Sequence, residues 1–389
     1  MMQADLLFKN AEIFDPDTLE IKRGELAVTG TVISGKGENL DCQAKKEIDL
    51  KGNILSPGFI EHHCHVFPVS SVLGISPDLF FSLGCTAVVD AGSSGFANFK
   101  AFANAAAYNM MDVYAYLNAA SYGQVILDCP EDFRSVKIHA DAIKEVVKQY
   151  PNRIRGIKMR FDKSCALDED NKSLQFCANL AHSLNLPLCV HVTNHGSTFV
   201  KILDPLEKGD VVCHVYQNMG ETILDDSGKV RKELIDARNR GVIFDAADEY
   251  VNFSFDVLKP AVEQGFYPDI IASDLTTLSA FNNHVYGLPL QISKYLALGM
   301  DLPKVLNCVT KAPAEAIGLY GQIGSLKVGA KADLTICKLE DHDFTICKLE
   351  DHDFTFKSYD HAFVKGEKLI KVLATLKHGA LRFASFDYY

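Results

Sequence analysis

Eight short apolar segments recur along the middle of the chain, and they constrain the fold more than any other feature. Each is rich in Val, Ile and Leu, as are strands buried on both faces of a parallel sheet. Helix-like segments lie at 135–150 and 173–184, where apolar residues follow a helical period. Successive strand–helix units of this kind predict an α/β fold, a (β/α)8 barrel of the TIM type. The strand-like segments are 54–60, 85–90, 113–118, 155–160, 186–191, 210–214, 242–245 and 268–274.

The two ends of the chain have a different pattern, with short β-like pieces separated by Gly and Asp-Pro turns. Neither end is long enough for a sheet domain of its own. We therefore expect a small β-sandwich domain built from residues 1–56 and 322–389, beside a barrel of residues 57–321. Near the C-terminus, residues 335–344 are repeated as 345–354; we interpret this as a tandem duplication that lengthens a hairpin.

Composition limits the classes of partner. The net charge of −11 argues against nucleic acid or an anionic membrane as a partner, so a small-molecule substrate is expected, and homo-oligomer formation is left open. The eleven cysteines are odd in number and scattered, which suits reduced thiols in a cytoplasm. The N-terminus lacks the basic and apolar regions of a signal peptide, so a cytoplasmic location is predicted.

Side chains that can bind metal stand where the strand-like segments end. His63 and His65 are two positions apart, so on a strand they point to the same side and offer two imidazoles to one zinc-like ion. Barrel active sites lie at the carboxyl ends of the strands. Six side chains are therefore predicted to meet there: His63, His65, Lys158, His191, His214 and Asp274.

Each of these residues also has a purely structural interpretation. Lys158 could reach solvent from a strand end, and a single His191 or His214 could be a hydrogen-bonded core histidine. Their shared position at consecutive strand ends favours metal binding. By the same alternation of side chains, Cys64 should point away from the metals as a packed thiol, and His62 is interpreted as structural.

Several motifs resemble those of the amidohydrolase superfamily, over nearly the whole chain. Pro57-Gly-Phe-Ile-Glu-His-His-Cys-His65 is similar to the family's approach to the barrel, and the segments 310–319 and 324–333 are similar to its exit. Within the superfamily, segments 88–100 and 292–300 most resemble those of dihydroorotase-like, deacetylase-type hydrolases.

The resemblance implies two divalent metal ions, with zinc expected, bridged by a lysine carboxylated by CO2; by position that lysine is Lys158. It assigns His63, His65, Lys158 and Asp274 to one metal, and Lys158, His191 and His214 to the other. A hydroxide shared by two metals has a lowered pKa. Asp274 would be the catalytic residue that takes its proton and passes it to the leaving group.

Departures from the family pattern bear on the substrate. Phe67 stands where dihydroorotases carry an arginine that grips the substrate carboxylate, and Val66 follows His65 where adenine deaminases carry an acidic residue. Asp248 occupies the position of a family histidine. Arg160 could pair with a substrate carboxylate or with a structural acid. The candidate substrate contacts are Arg160, Tyr216, Asp248 and His284.

The sequence therefore predicts a binuclear metal-dependent hydrolase that removes an acyl group, as an amide or an ester, from a small and carboxylate-bearing substrate. A cyclic amidohydrolase of the dihydroorotase or hydantoinase kind is the alternative within the enzymes. A non-catalytic scaffold with this fold is the alternative outside them, but such proteins typically lose metal ligands, and all six positions here hold suitable residues.

Overall fold

A computed structural model describes residues 2–125, 130–166, 171–249, 252–281, 287–347, 363–385 and 388. The strands are β1 (Met2–Asp15), β2 (Glu20–Thr29), β3 (Val32–Gly37), β4 (Cys42–Asp49), β5 (Ile54–Pro57), β6 (Phe59–Cys64), β7 (Cys85–Asp90), β8 (Asp112–Asn118), β9 (Ile154–Arg160), β10 (Leu188–His191), β11 (Val211–Cys213), β12 (Ile243–Asp245), β13 (Leu334–Cys347), β14 (Phe363–Lys377) and β15 (Ala380–Ala384). The α-helices are α1 (Phe99–Ala107), α2 (Ala140–Gln149), α3 (Lys172–Ser183), α4 (Phe199–Leu203), α5 (Lys232–Arg240), α6 (Phe255–Glu263), α7 (Thr277–Phe281), α8 (Leu288–Ala297), α9 (Leu302–Cys308) and α10 (Lys311–Ala316).

A curled parallel sheet occupies the centre of the chain. Its seven strands follow one another in the order β6 to β12, each paired in parallel with the next. Every residue of β6 and β7 is buried, as expected for strands covered on both faces. Alternate residues face opposite layers: Val190 and Val212 pack beneath the helices, whereas Cys189 and Cys213 face the interior. All seven carboxyl ends therefore lie at one edge.

The eighth predicted strand, 268–274, is not a regular strand in the structure. Ile270 makes one parallel bridge to Asp245 of β12, and Leu275 makes one to Cys64 of β6, so the segment still closes the sheet. Its other amides have mixed acceptors: the Ile271 amide donates to the Cys308 carbonyl, the Ser273 amide to the Glu61 carboxylate and the Asp274 amide to the His63 carbonyl. The segment therefore lacks the continuous ladder to neighbouring strands that the apolar pattern predicts.

The predicted strand 54–60 is divided between two sheets. Its first part is β5, which pairs with β1 and β13, and its second part belongs to β6 of the curled sheet. Gly58 separates them where a Cβ atom would lie 2.2 Å from Thr86 Oγ1, so only glycine fits.

Strands from both ends of the chain form a second, eight-stranded sheet. Its order is β15-β14-β13-β5-β1-β2-β3, with β4 pairing with β1. The first copy of the repeat lies within β13, which continues into the second copy as far as Cys347; residues 348–354 fall outside the described ranges. None of the helices in those ranges combines the length and apolar character that crossing a bilayer requires.

A buried ion cluster joins the two sheets. Lys377, the last residue of β14, places its Nζ 2.7 Å from Asp112 of β8 and 2.6 Å from Asp333 before β13, and its side chain is only 1% exposed. Asp112, Asp333 and His378 lie close enough to suggest a metal site. The ammonium of Lys377 already supplies the positive charge there.

We predict that Lys377→Met destabilises the protein by about 3–5 kcal/mol, because it leaves two carboxylates without their buried cation. Lys331→Met is the matched control: Lys331 also contacts Asp112, at 3.1 Å, but is 36% exposed, so a loss within ~1 kcal/mol is expected. Urea denaturation measures both free energies of unfolding, and equal small losses would contradict the prediction.

Candidate metal centre

The six predicted ligands come together at the carboxyl edge of the curled sheet. His63 lies near the end of β6, and His65 follows that strand. Lys158 is inside β9, and His191 ends β10. His214 follows β11, and Asp274 stands in the eighth, irregular segment. Five of the six side chains are buried, and His191 is half-buried.

Left-handed backbone turns aim two of these side chains. His214 has φ 63° and Asp274 has φ 52°, a region that non-glycine residues rarely adopt and that is concentrated at functional sites. Along a strand, neighbouring side chains alternate between faces. The turn at His214 breaks this alternation, so Cys213 and His214 both reach the interior. Sequence alternation alone could not predict this arrangement.

The histidine nitrogens converge on one carboxylate. His63 Nε2 lies 3.6 Å and His65 Nε2 lies 3.3 Å from Asp274 Oδ1, while His214 Nε2 lies 3.9 Å from Oδ2. The rings of His191 and His214 have centroids 4.5 Å apart. Lys158 Nζ is 3.4 Å from His63 Nε2. The cluster is thus compact enough for shared ligands.

Two histidines are oriented through their second ring nitrogen. His65 Nδ1 lies 2.9 Å from Ser93 Oγ, and His214 Nδ1 lies 2.9 Å from the Ala247 carbonyl oxygen. Metal-binding histidines typically use the nitrogen away from the metal in this way. Both contacts leave Nε2 directed at Asp274. Ser93 and Ala247 were not among the residues predicted from the sequence.

The turn after β7 packs against the Lys158 side chain of the centre. The Asp90 carboxylate accepts hydrogen bonds from the amides of Gly92 and Ser93, at 3.1 and 2.7 Å. Gly92 has φ 99°, and a Cβ atom there would lie 2.7 Å from Lys158 Cγ. The turn therefore needs glycine to leave room for the lysine. The Asp-Ala-Gly-Ser run in segment 88–100 was the available signal.

Burial and neighbouring charges set the protonation of the cluster. Burial, together with Lys158, holds the pKa of His63 well below its usual range, and burial with His214 does the same for His191. Burial alone would raise the pKa of Asp274, but contacts with His65 and His214 outweigh it and lower the pKa. His63 and His191 are thus neutral imidazoles and Asp274 is an ionised carboxylate, the forms that bind metal. Burial alone would lower the pKa of His214, but its contacts with Cys213 and Asp274 outweigh burial and raise that pKa.

Lys158 is the exception among these groups. Burial alone would lower its pKa, but the neighbouring thiols of Cys189 and Cys213 and the Asp274 carboxylate outweigh burial and raise the pKa. A protonated amine repels a dication. Metal binding and loss of the lysine proton therefore have to occur together.

The donor set fits divalent cations. Asp274 Oδ1 is buried and has no hydrogen-bond partner among the described residues, an unusual state for a carboxylate oxygen. It faces imidazoles, and its other oxygen accepts a hydrogen bond from Asn252 Nδ2 at 2.9 Å. Imidazole and carboxylate are ligands for zinc and similar metals.

A separate polar group lies deeper in the interior. His62 lies between Asp245 Oδ2, 2.8 Å from its Nδ1, and the Tyr116 hydroxyl, 2.9 Å from its Nε2, which agrees with a structural role. Cys64 packs under the helices, with burial raising the pKa of its thiol well above the usual range. Neither residue joins the ligand cluster.

The predicted substrate contacts that the structure describes are bonded to other protein groups. Arg160 Nε pairs with the Glu131 carboxylate, which matches the structural alternative. Asp248 is buried against Lys294, at 2.5 Å, and Tyr295, at 2.8 Å. The Tyr216 hydroxyl donates to the Phe266 carbonyl in the layer beneath the helices. A direct substrate contact is therefore not favoured for Tyr216 or Asp248. His284 lies outside the described residues.

Comparisons with known proteins agree with this architecture. A protein called a deacetylase from Enterococcus faecalis is 31% identical over 345 residues, which cover 87% of this chain and 91% of that protein. A solved adenine deaminase has a TM-score of 0.87 at 26% identity, covering 98% of this chain and all of the other. A solved dihydroorotase has a TM-score of 0.84 at 25% identity, covering 98% of each chain.

These likenesses confirm the predicted α/β architecture with a curled parallel sheet of the TIM-barrel type. The predicted superfamily is confirmed as well. The model of the Amidohydrolase family matches residues 54–380, which is most of the chain and includes all six predicted ligands. The chain belongs to the Amidohydrolase family.

Proposed function

We propose that this protein is a metal-dependent deacetylase-type hydrolase, which removes an acyl group from a small substrate bearing a carboxylate. The observation that carries the proposal is the convergence of His63, His65 and His214 on Asp274 at the carboxyl edge of the sheet, with Lys158 in contact with His63. The full-length likeness to the Enterococcus faecalis deacetylase supports the acyl group as the target.

Divalent metals are general in this family, and the donor set suits zinc. His63, His65 and Asp274 would hold one ion, and His191 and His214 the other. Lys158, carboxylated by CO2, would contact both, because a carbamate is anionic where an ammonium would repel cations. Bound there, two cations would polarise the acyl carbonyl and lower the pKa of the attacking water.

Asp274 is suited to move the proton. Its pKa is lowered, so its carboxylate is ionised. Asn252 donates to Oδ2, while Oδ1 has no hydrogen bond from the part of the chain that the structure describes. It would accept the proton that water loses on attacking the acyl carbon, and then deliver that proton to the departing nitrogen or oxygen. The products are the free acid and the amine or alcohol.

Arg160 is the proposed contact for a substrate carboxylate. It stands two residues beyond Lys158 on β9, and its side chain is 27% exposed. Glu131 accepts from Nε, and Asn118 holds the other oxygen of Glu131 at 2.7 Å. The terminal nitrogens of the guanidinium have no acceptor among the described residues, so they can serve a carboxylate.

Ring opening is the alternative reaction. The solved dihydroorotase with a TM-score of 0.84 favours it, because the same centre can hydrolyse a cyclic amide. Phe67 argues against dihydroorotate itself, since a buried apolar ring stands two residues after His65, where the resemblance expects an arginine. Absorbance loss with dihydropyrimidines or hydantoins as substrates separates this alternative from release of a free acyl acid.

We also infer that the terminal sheet packs as a β-sandwich, and that residues 1–56 and 322–389 form one domain. In support, Phe8 and Leu26 from the N-terminal strands share a buried cluster with Ile336 and Leu376 from β13 and β14. A sheet whose two halves pack on one another produces such a shared core.

Glu249 lies close to the proposed proton carrier. Asn252 Nδ2 lies 3.4 Å from its Oε2 and 2.9 Å from Asp274 Oδ2, so one amide contacts both acids. Burial and the charge of Asp274 raise the pKa of Glu249 to about 8. The protonated form is therefore favoured at neutral pH in the metal-free protein.

We predict about two divalent ions per wild-type chain and a sharp loss in Lys158→Ala, because the variant cannot bridge two metals. Elemental mass spectrometry on protein purified without chelator gives the ratio. Lys163→Ala removes an exposed lysine nearby and should keep the metal. A wild type without metal would contradict the proposed centre.

We predict that Arg160→Met lowers kcat/KM for an N-acetyl or O-acetyl acid by roughly 10–100-fold, the loss expected for a hydrogen-bonded ion pair. The methyl ester of the same substrate should be affected much less. Arg160→Lys should recover part of the activity. Equal losses for acid and ester would assign Arg160 a structural role through Glu131.

We predict that Glu249→Gln reduces the pH dependence of stability. Because the folded-state pKa of about 8 lies above the ordinary value of 4.5, the unfolded chain loses this proton first as pH rises. Stability should therefore fall between those values. In the metal-free variant, Tm should drop less between about pH 5 and about pH 9 than in the metal-free wild type. Identical drops in Tm for the variant and the wild type would show that a group other than Glu249 causes the pH dependence of stability.

A further inference from the structure

One thiol lies at the level of the ligands. Cys213 ends β11, and its Cα pairs in register with His191 of β10 and Asp245 of β12. Its side chain is fully buried and faces the interior of the curled sheet. Because the backbone is left-handed at His214, the side chains of both Cys213 and His214 point to the interior.

The sulfur is close to two of the proposed ligands. Cys213 Sγ and one ring nitrogen each of His63 and His214 all lie within 4.8 Å of one another. Lys158 Nζ is 3.2 Å from the sulfur. The sulfur therefore lies within reach of one proposed ligand of each ion, and thiolate, like imidazole, is a donor that zinc and cobalt bind well.

We propose that Cys213 is an additional ligand of the metal centre, binding one ion as a thiolate from the interior side. This inference rests on the proposed metal centre and adds a residue to it. When the sulfur–metal bond forms, the S–H bond breaks and its proton leaves to solvent, as in other thiolate sites. The thiol also loses its contact with the Val190 carbonyl, which lies 3.2 Å away.

A thiolate ligand would change which metals the centre prefers. Sulfur is a soft donor that favours zinc, cobalt and cadmium, whereas carboxylate oxygens and water suit magnesium and manganese. The six ligands implied by the family resemblance contain no sulfur. Cys213 would therefore shift the preference of this protein toward the softer metals.

Cys189 provides a matched control inside the same interior. It is also fully buried, and its sulfur lies 3.8 Å from Lys158 Nζ and 3.9 Å from Cys213 Sγ. Within the ranges that the structure describes, it belongs to no group of converging metal donors. Replacing it removes a neighbouring thiol without removing the proposed ligand.

The test replaces the native metal of the full-length protein with cobalt and records the absorption spectrum. A thiolate bound to Co²⁺ gives an intense near-ultraviolet charge-transfer band that nitrogen and oxygen ligands do not give. We expect the band in wild type and in Cys189→Ser, and its loss in Cys213→Ser. Cobalt content, circular dichroism and Tm of each variant establish that the comparison is between folded, loaded proteins.

X-ray absorption on the wild-type zinc protein keeps the test independent of how the variants fold. A zinc–sulfur distance of about 2.3 Å is expected. Wild type that binds two cobalt ions without the band or the sulfur distance would overturn this inference and leave the metal centre intact. Wild type that binds no cobalt would overturn both. A band that disappears only in Cys189→Ser would identify Cys189 as the sulfur ligand and overturn the inference for Cys213.

Discussion

The centre depends on burying several ionisable side chains where parallel strands end. His63, His65 and His214 face the carboxylate of Asp274, one oxygen of which accepts no hydrogen bond within the described ranges, while Lys158 brings an amine into the same space. Burying these ionisable side chains costs free energy unless each charge has an opposite charge or a hydrogen bond. Divalent cations and a carboxylated lysine would supply the opposite charges. The surrounding contacts, including Ser93 and the turn at Gly92, hold the side chains ready for that state.

Chemistry and specificity are placed on different parts of the fold. One fold can host several reactions, so the likeness to a solved adenine deaminase and a solved dihydroorotase says little about the substrate. Near the strand ends of this chain, Phe67 is a buried apolar residue two positions after His65, and Arg160 is paired with Glu131. Discrimination between acyl release and ring opening therefore depends on these neighbours and on the loops beyond the strands.

Periodicity predicted the curled sheet and the position of the ligands because strand ends of a parallel sheet meet at one edge. It did not predict which distant groups each residue contacts. In the eighth segment the Ser273 amide donates to Glu61 and the Ile271 amide to the Cys308 carbonyl, so no continuous strand ladder forms. Asp248, a candidate substrate contact by its position in the family pattern, pairs with Lys294. The inward position of Cys213 beside His214 needs a left-handed turn that no pattern of residue types reports. The local sequence pattern predicts helices and strands, whereas the partners of each side chain depend on residues that are distant in the sequence.

The pairing of β5 with β13 has a consequence for how the chain is made. Ile54 lies opposite Cys337, so a strand from the start of the chain stays an open edge while the whole curled sheet is synthesised. Contacts between such distant residues form slowly, and exposed strand edges invite association with other chains. During synthesis, Asp112 is also without its buried cation until Lys377 emerges at the end of β14. The sheet built from both ends of the chain is therefore completed only after β13 and β14 have been synthesised.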